Sequence, residues 1–367
     1  ANLWWEMYTD VGRFLGVSHT PRWTIRRSSF RPLALNNFSK KRTDIPAFPL
    51  FLSLMDKVNV GGANPQPVLI VGSVGYDDIE TPFSKDTRIL GGSASYACLA
   101  SSYFAPTRMV AVVGNDFEKE DRERLSSHGI DTAGLQTDES GPTFTWSGKY
   151  LEDFNQRETL DIQLNVFEKF QPVLPAEHKD TRYVLLGNIH PALQAHVLDQ
   201  LEATDTFVAV DTIDLWITIE KPAFLDLLKR IDFLAINDSE AELLTGESNI
   251  IKAGAALRAL GPDKVVIKKG AHGAYFFYDG GLFALPAYPV TELRDPTGAG
   301  DTFLGAVMGY LAALDKTDIA TIKTALLYGT AVASLTVEAF SCNRLESGGA
   351  ETISSRADEL REMISLE

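Results

Sequence analysis

A chain of 367 residues with 45% hydrophobic and 23% charged side chains is long enough for one large α/β unit or two average domains. Its formal net charge of −15 speaks against a surface built to hold nucleic acid. Two cysteines, Cys98 and Cys342, give no disulfide framework and fit a reducing compartment, and no apolar run approaches the length of a membrane span.

The first 66 residues differ in character from the remainder. They hold nine Lys/Arg against four Asp/Glu, and Val11 to Thr43 contains no acidic residue. That bias matches an organellar transit peptide, and a translated stretch upstream of a start at Met55 fits equally. Residues 1–66 are therefore expected to be a poorly ordered extension ending in the linker-like Asn59–Pro65. From Pro67 onward, short apolar runs look like buried parallel strands: Val68–Val71, Met109–Val113, Tyr183–Leu186, Phe207–Val210, Phe233–Ile236 and Val265–Ile267. Helical stretches lie between them, at Ala94–Tyr103, Glu118–His128, Leu193–Ala203 and Glu240–Leu244. Strand followed by helix, several times over, predicts a doubly wound α/β sheet covered on both faces. A hairpin is expected at Ala274–Leu285 around Asp279-Gly280-Gly281. Two helices, Gly298–Leu314 and Asp318–Ala339, follow. Tyr76–Leu90 and Pro142–Asn165 break the alternation and read as strands that leave the main sheet.

Candidate functional residues sit where strands end. Asp77 and Asp78 follow the first strand, where a carboxylate by itself reads as a turn residue. The pair Gly91-Gly92 opens a helix and allows close backbone approach, or simply a tight turn. Asn237 and Glu240 have the spacing of a capping box, and residues three apart also share a helix face. Lys268-Lys269-Gly270-Ala271-His272-Gly273 is a turn after a late strand. The strongest signal is Arg294-Asp295-Pro296-Thr297-Gly298-Ala299-Gly300-Asp301-Thr302-Phe303. Its glycines present N–H groups at a helix N-terminus, which suits a phosphate. Asp301 beside them either caps the helix or takes the proton of a hydroxyl that attacks the phosphate.

These strings together resemble the ribokinase-like (PfkB) family of carbohydrate and nucleoside kinases over nearly all of Pro67 to Glu367. The resemblance implies a doubly wound, mostly parallel sheet flanked by helices, with a small β lid from about 76–90 and 142–165. It implies an ATP-dependent phosphotransferase acting on a hydroxymethyl group of a sugar or sugar-like substrate. Asp301 is then the general base, and Gly298, Ala299 and Gly300 form the anion hole. Asp77, Gly91, Gly92 and Tyr96 stand at acceptor positions, although the family normally has Asn where Tyr96 is. Asn237, Glu240, Lys268, Gly270, Gly273 and Thr297 fall on the nucleotide side. Magnesium is implied near Glu240, with Asp295 supporting the loop or a neighbouring potassium ion, as in several relatives. Gly114-Asn115-Asp116 looks like the family's structural turn. Asp211 and Trp216 resemble its Asp-x-Asn…Trp region, with Ile213 in place of the Asn.

Two rivals remain. Phe144, Trp146 and Tyr150 could stack on a base, giving a nucleoside kinase, or they could be the lid's own packing. A non-catalytic scaffold subunit is the other, kept open by the transit-like N-terminus and opposed by the intact Asp301. The expected partner is a small sugar or nucleoside, with no nucleic acid, no membrane and room for a homodimer. The compartment is cytoplasmic, or organellar if the N-terminal segment is a transit peptide.

Overall fold

Every side chain of Val68–Val71 is buried, as a strand covered on both faces requires. This strand, β1, belongs to a nine-stranded sheet in the computed structural model, which describes residues 57–366 apart from 153 and 155. Of the extension expected at residues 1–66, residues 1–56 lie outside the described residues. Parallel neighbours of β1 are β4 (Thr107–Gly114) and β8 (Tyr183–Leu186). Beyond β4 lies β5 (Ile130–Asp138), and beyond β8 come β9 (Phe207–Asp211), β10 (Phe233–Asn237) and β11 (Lys264–Lys268), all parallel. The hairpin β12 (Ala274–Tyr278) and β13 (Gly281–Leu285) closes the edge in antiparallel fashion.

Successive strand residues point to opposite faces, so the sheet carries two cores. Val68 and Ile70 pack into one with Leu304, Leu326 and Leu360. Leu69 and Val71 pack into the other with Val197, Phe224 and Leu257. The first core is covered by α1 (Ser93–Ser102), α8 (Ala299–Leu314), α9 (Ile319–Thr336) and α10 (Asn343–Ile364). The second is covered by α3 (Pro191–Leu198), α5 (Lys221–Leu228), α6 (Asp238–Thr245) and α7 (Ile250–Ala259). By length and composition α9 could cross a membrane, with mean hydropathy 1.3, yet Ile322, Leu326, Val332 and Leu335 are buried in the first core.

The doubly wound, mostly parallel sheet is thus as expected, with some elements the apolar runs did not mark. β5, an edge strand, is mostly polar and buries only Ile130, Gly134 and Leu135, and α10 is interrupted at Gly349, whose φ is +72°. α3 stops at Leu198, short of the expected Ala203. The remaining helices are α2 (Lys119–Ser127) and α4 (Asp214–Ile219).

The two insertions form a separate four-stranded sheet, ordered β3-β2-β6-β7. β2 (Gly75–Glu80) is antiparallel to β3 (Lys85–Gly91) and parallel to β6 (Phe144–Tyr150), and β6 is antiparallel to β7 (Arg157–Gln163). The Gly114-Asn115-Asp116 turn ties this lid to the main sheet. The Gly114 N–H donates to Thr143 Oγ1 at 3.0 Å, and Asp116 Oδ1 accepts from the Thr143 N–H at 2.7 Å.

Residues 57–66 do not behave as a free linker. Val58 is 3% exposed, and its N–H donates to the Tyr103 carbonyl at 2.9 Å. The Gln66 N–H donates to the Ala312 carbonyl, and Gly62 lies so close to the Ala313 carbonyl that a Cβ would overlap it. A chain starting at Met55 is expected to keep the melting temperature of the full chain. One starting at Pro67 loses the Val58 contact, worth about 1.5–3 kcal/mol by burial alone, and should melt several degrees lower. Equal melting temperatures for the two truncations would show that this segment adds nothing to the core.

Candidate active site

Gly298 adopts φ +76°, a left-handed conformation that favours glycine, and forms the N-cap of α8. No side chain caps this helix. Asp301 is its third residue, so the capping reading of Asp301 does not hold. Burial raises the Asp301 carboxyl to about 7, the Asp211 charge adds to this, and Lys268 and Arg157 oppose it. Of the three expected donors, the Ala299 N–H is turned to the Pro296 carbonyl at 3.2 Å. The N–H groups of Gly298 and Gly300 have no partner among the described residues, and they flank the mouth of the helix.

At the start of the second sheet, β2 turns Asp77 inward and Asp78 outward, since neighbouring strand residues face opposite ways. Asp78 Oδ1 is taken by the Arg88 N–H at 2.7 Å. Asp77 is 4% exposed, and its carboxyl is raised to about 8, first by burial and then by the charges of Asp295 and Asp301. Its carboxylate lies against Gly91, where any Cβ would collide with it. Gly92, at φ +93°, lets α1 start tight against the Ser73 carbonyl. Tyr96 is 1% exposed, beneath the loop, with its ring in contact with Gly298. Its hydroxyl is buried with no hydrogen-bond partner and lies in the field of Asp77 and Asp295.

On the other side, Asn237 and Glu240 form a complete capping box for α6. Asn237 Oδ1 accepts from the Glu240 N–H at 2.7 Å, and Glu240 Oε2 accepts from the Asn237 N–H at 2.9 Å. Burial raises the Glu240 carboxyl to about 7, partly offset by Lys268. Lys268, at the end of β11, reaches Asp211 at the end of β9, with Nζ 3.1 and 2.9 Å from the two carboxylate oxygens. Burial pulls the Lys268 pKa down, but Asp211 and Glu240 outweigh that and leave it raised. Gly270 and Gly273 close a short turn through their own backbone bonds, and Gly273 at φ +83° passes against the Leu285 carbonyl. The Thr297 N–H donates to Asp295 Oδ1 at 2.9 Å. Asp295 Oδ2 is buried with no hydrogen-bond partner, and burial raises this carboxyl to about 6.

Three features were not legible beforehand. Tyr150 of the lid meets the Thr297 hydroxyl at 2.9 Å, a latch between lid and glycine loop. Arg157, from β7, contributes positive charge to both Asp77 and Asp301. The Asp211–Lys268 pair joins residues 57 positions apart. No local spacing signals any of these. Each of the three aromatics of β6 already has a partner. Phe144 packs on Phe167, Trp146 Nε1 donates to Thr159 Oγ1, and Tyr150 stacks on Phe154. Trp216 Nε1 likewise donates to Asn188 Oδ1 at 2.8 Å.

Residues 68–347 match the sequence pattern described as pfkB family carbohydrate kinase. The chain belongs to this family. It is an ATP-dependent small-molecule kinase with a ribokinase-like fold. The cytidine kinase of Thermococcus kodakarensis is 28% identical over 254 residues, spanning 68% of this chain and 88% of its own length. The inositol 3-kinase of Oryza sativa subsp. japonica is 25% identical over 297 residues, spanning 75% and 70%. The structure of Arabidopsis thaliana ribokinase complexed with ribose and ATP aligns with TM-score 0.65 at 21% identity, covering 80% of this chain and 99% of that one. Asp301 lies in the electrostatic field of both Asp77 and Lys268.

Proposed function

We propose that this pfkB kinase transfers the terminal phosphoryl group of ATP to a hydroxymethyl group of a sugar or sugar-like polyol. The observation that carries the reading is Asp301, uncapped in the first turn of α8 beside the open Gly298 and Gly300 donors, with its carboxyl held near 7. A carboxyl of that basicity takes a hydroxyl proton as the oxygen attacks, and the two N–H groups steady the charge growing on the phosphoryl oxygens. Asp77 accepts from hydroxyls of the acceptor and orients it. The latched lid excludes water, which would otherwise compete as the acceptor.

The residues present fit magnesium. Asp211 at the end of β9 and Glu240 in the first turn of α6 offer two hard carboxylate oxygen donors, both in the field of Lys268. That suits an ion held largely by phosphates and water. Bound there, it neutralises charge on the β- and γ-phosphates. The orphaned Asp295 Oδ2 fits a monovalent cation such as potassium.

The decisive experiment measures ADP release across a panel of sugars, polyols and nucleosides, with Asp301→Asn as the control. Absence of acceptor-dependent ADP formation from every sugar and polyol would overturn the reading. A nucleoside kinase is the second reading, supported by the resemblance to the cytidine kinase. The sugar is favoured because Phe144, Trp146 and Tyr150 are already engaged, with Phe167, Thr159, and Phe154 and Thr297 respectively.

Tyr96 stands where acceptor choice is set. Tyr96→Phe keeps the ring that seats Gly298 and removes only the unpartnered hydroxyl. It is expected to change relative kcat/KM among acceptors several-fold while KM for ATP stays within about twofold, the scale of one hydrogen bond. An unaltered acceptor ranking would assign Tyr96 to packing alone.

A further inference from the structure

Asp211 and Lys268 end two strands that are not neighbours, because β10 runs between them. Lys268 crosses the end of β10 to pair with both oxygens of Asp211, and the two side chains are only 19% and 9% exposed respectively. The pair sits beneath the glycine loop, where a Cβ on Gly300 would lie 3.0 Å from Lys268 Nζ and 3.8 Å from Asp211 Oδ2. A buried ion pair is a poor source of stability, since desolvation of both charges cancels much of their attraction. Its position suggests another use. A metal–triphosphate carries one partner for each charge: a divalent cation for the carboxylate, and phosphate oxygens for the ammonium.

Resting on the kinase reading above, we propose that Asp211 and Lys268 form an exchange pair. The ion pair and the magnesium–nucleotide complex compete for the same two charges. When the nucleotide binds, the pair opens. Lys268 then donates to a phosphate oxygen beside Gly300, while Asp211 faces the cation or one of its waters. The pair thereby keeps both groups in place and prevents either from binding metal alone or free anion strongly. That selects the complex over its separate parts.

Two equilibrium titrations without turnover test this: Mn2+ alone, and ATP in the presence of a chelator. Lys268→Met should tighten Mn2+ binding and weaken metal-free ATP binding, each by about tenfold, as expected when one partner of a competing pair is removed. Asp211→Asn should do the reverse. Shifts of both ligands in the same direction within one variant, or no shift, would overturn the exchange. The wild-type chain supplies an independent measurement should a variant fail to fold. Its crystal structure with Mg2+ and the β,γ-imido analogue of ATP is expected to show Lys268 Nζ on a phosphate oxygen and parted from Asp211. Bound nucleotide with the ion pair intact would overturn this inference alone. No nucleotide binding by either method would overturn the kinase reading with it.

Discussion

Asp301→Asn is expected to lower kcat by about a hundredfold or more, the usual contribution of a positioned general base, while leaving nucleotide affinity and the fold close to wild type. The amide matches the carboxylate in shape, and Asp301 makes no capping bond that the substitution would break. What is lost is the group that receives the hydroxyl proton. A variant with near-wild-type turnover on its acceptor would remove Asp301 from the mechanism. The pH dependence should separate activity from stability. The base must be ionised to work, so kcat falls as pH drops through about 7. Stability runs the other way. Folding raises the carboxyls of Asp301 and Asp77 to about 7 and about 8, so the folded chain holds protons that the unfolded chain has released. The stability they contribute is full below the ordinary carboxylate range, about pH 4, and is lost as pH rises through the folded values. Asp301→Asn removes one of these groups. Its melting temperature should therefore gain on wild type between pH 5 and pH 9. A constant difference across that range would show that the raised value does not belong to Asp301.

Gly298→Ala should have the second large effect, and here geometry is the reason. A non-glycine residue at φ +76° is strained by about 1–2 kcal/mol. The added Cβ would also run into the ring of Tyr96, which is fully packed and has nowhere to move. The loop must shift, and the open donors of Gly298 and Gly300 shift with it. Misplaced donors of this kind reduce turnover by about a hundredfold or more, so a large loss of kcat is expected along with a lower melting temperature. Because Asp77, the proposed acceptor ligand, is on β2 and does not touch the added methyl, while Tyr96 does, KM for the acceptor should change several-fold at most, less than kcat. A fall in acceptor affinity with kcat preserved would place the glycine loop outside the transfer step. Pairing Gly298→Ala with a smaller residue at Tyr96 should recover part of the stability but not the turnover, since the backbone strain remains.

Local chemistry made a good part of this protein readable from its sequence. Strands buried on both faces must be continuously apolar, which marked Val68–Val71 and its parallel neighbours. The loss of that pattern at Tyr76–Leu90 and Pro142–Asn165 marked strands outside the main sheet, and these form the separate four-stranded sheet. The glycine loop was legible because only glycine accepts the backbone of Gly298, and an acidic residue directly after it has few roles. Tertiary structure decided what depends on register and on distant partners. Whether Asp77 or its neighbour Asp78 faces the cleft follows from how β2 pairs with β3 and β6, because one residue of slip exchanges the faces. The Asp211–Lys268 pair and the Tyr150–Thr297 latch join residues 57 and 147 positions apart, brought together by strand order and lid folding. The Ala299 N–H is turned to Pro296 by the shape of the loop, a detail that residue types do not encode. Tyr96 shows the same division. Its identity was plain in the chain, but only the packing of α1 beneath Gly298 set its ring against the loop and left its hydroxyl buried without a hydrogen-bond partner.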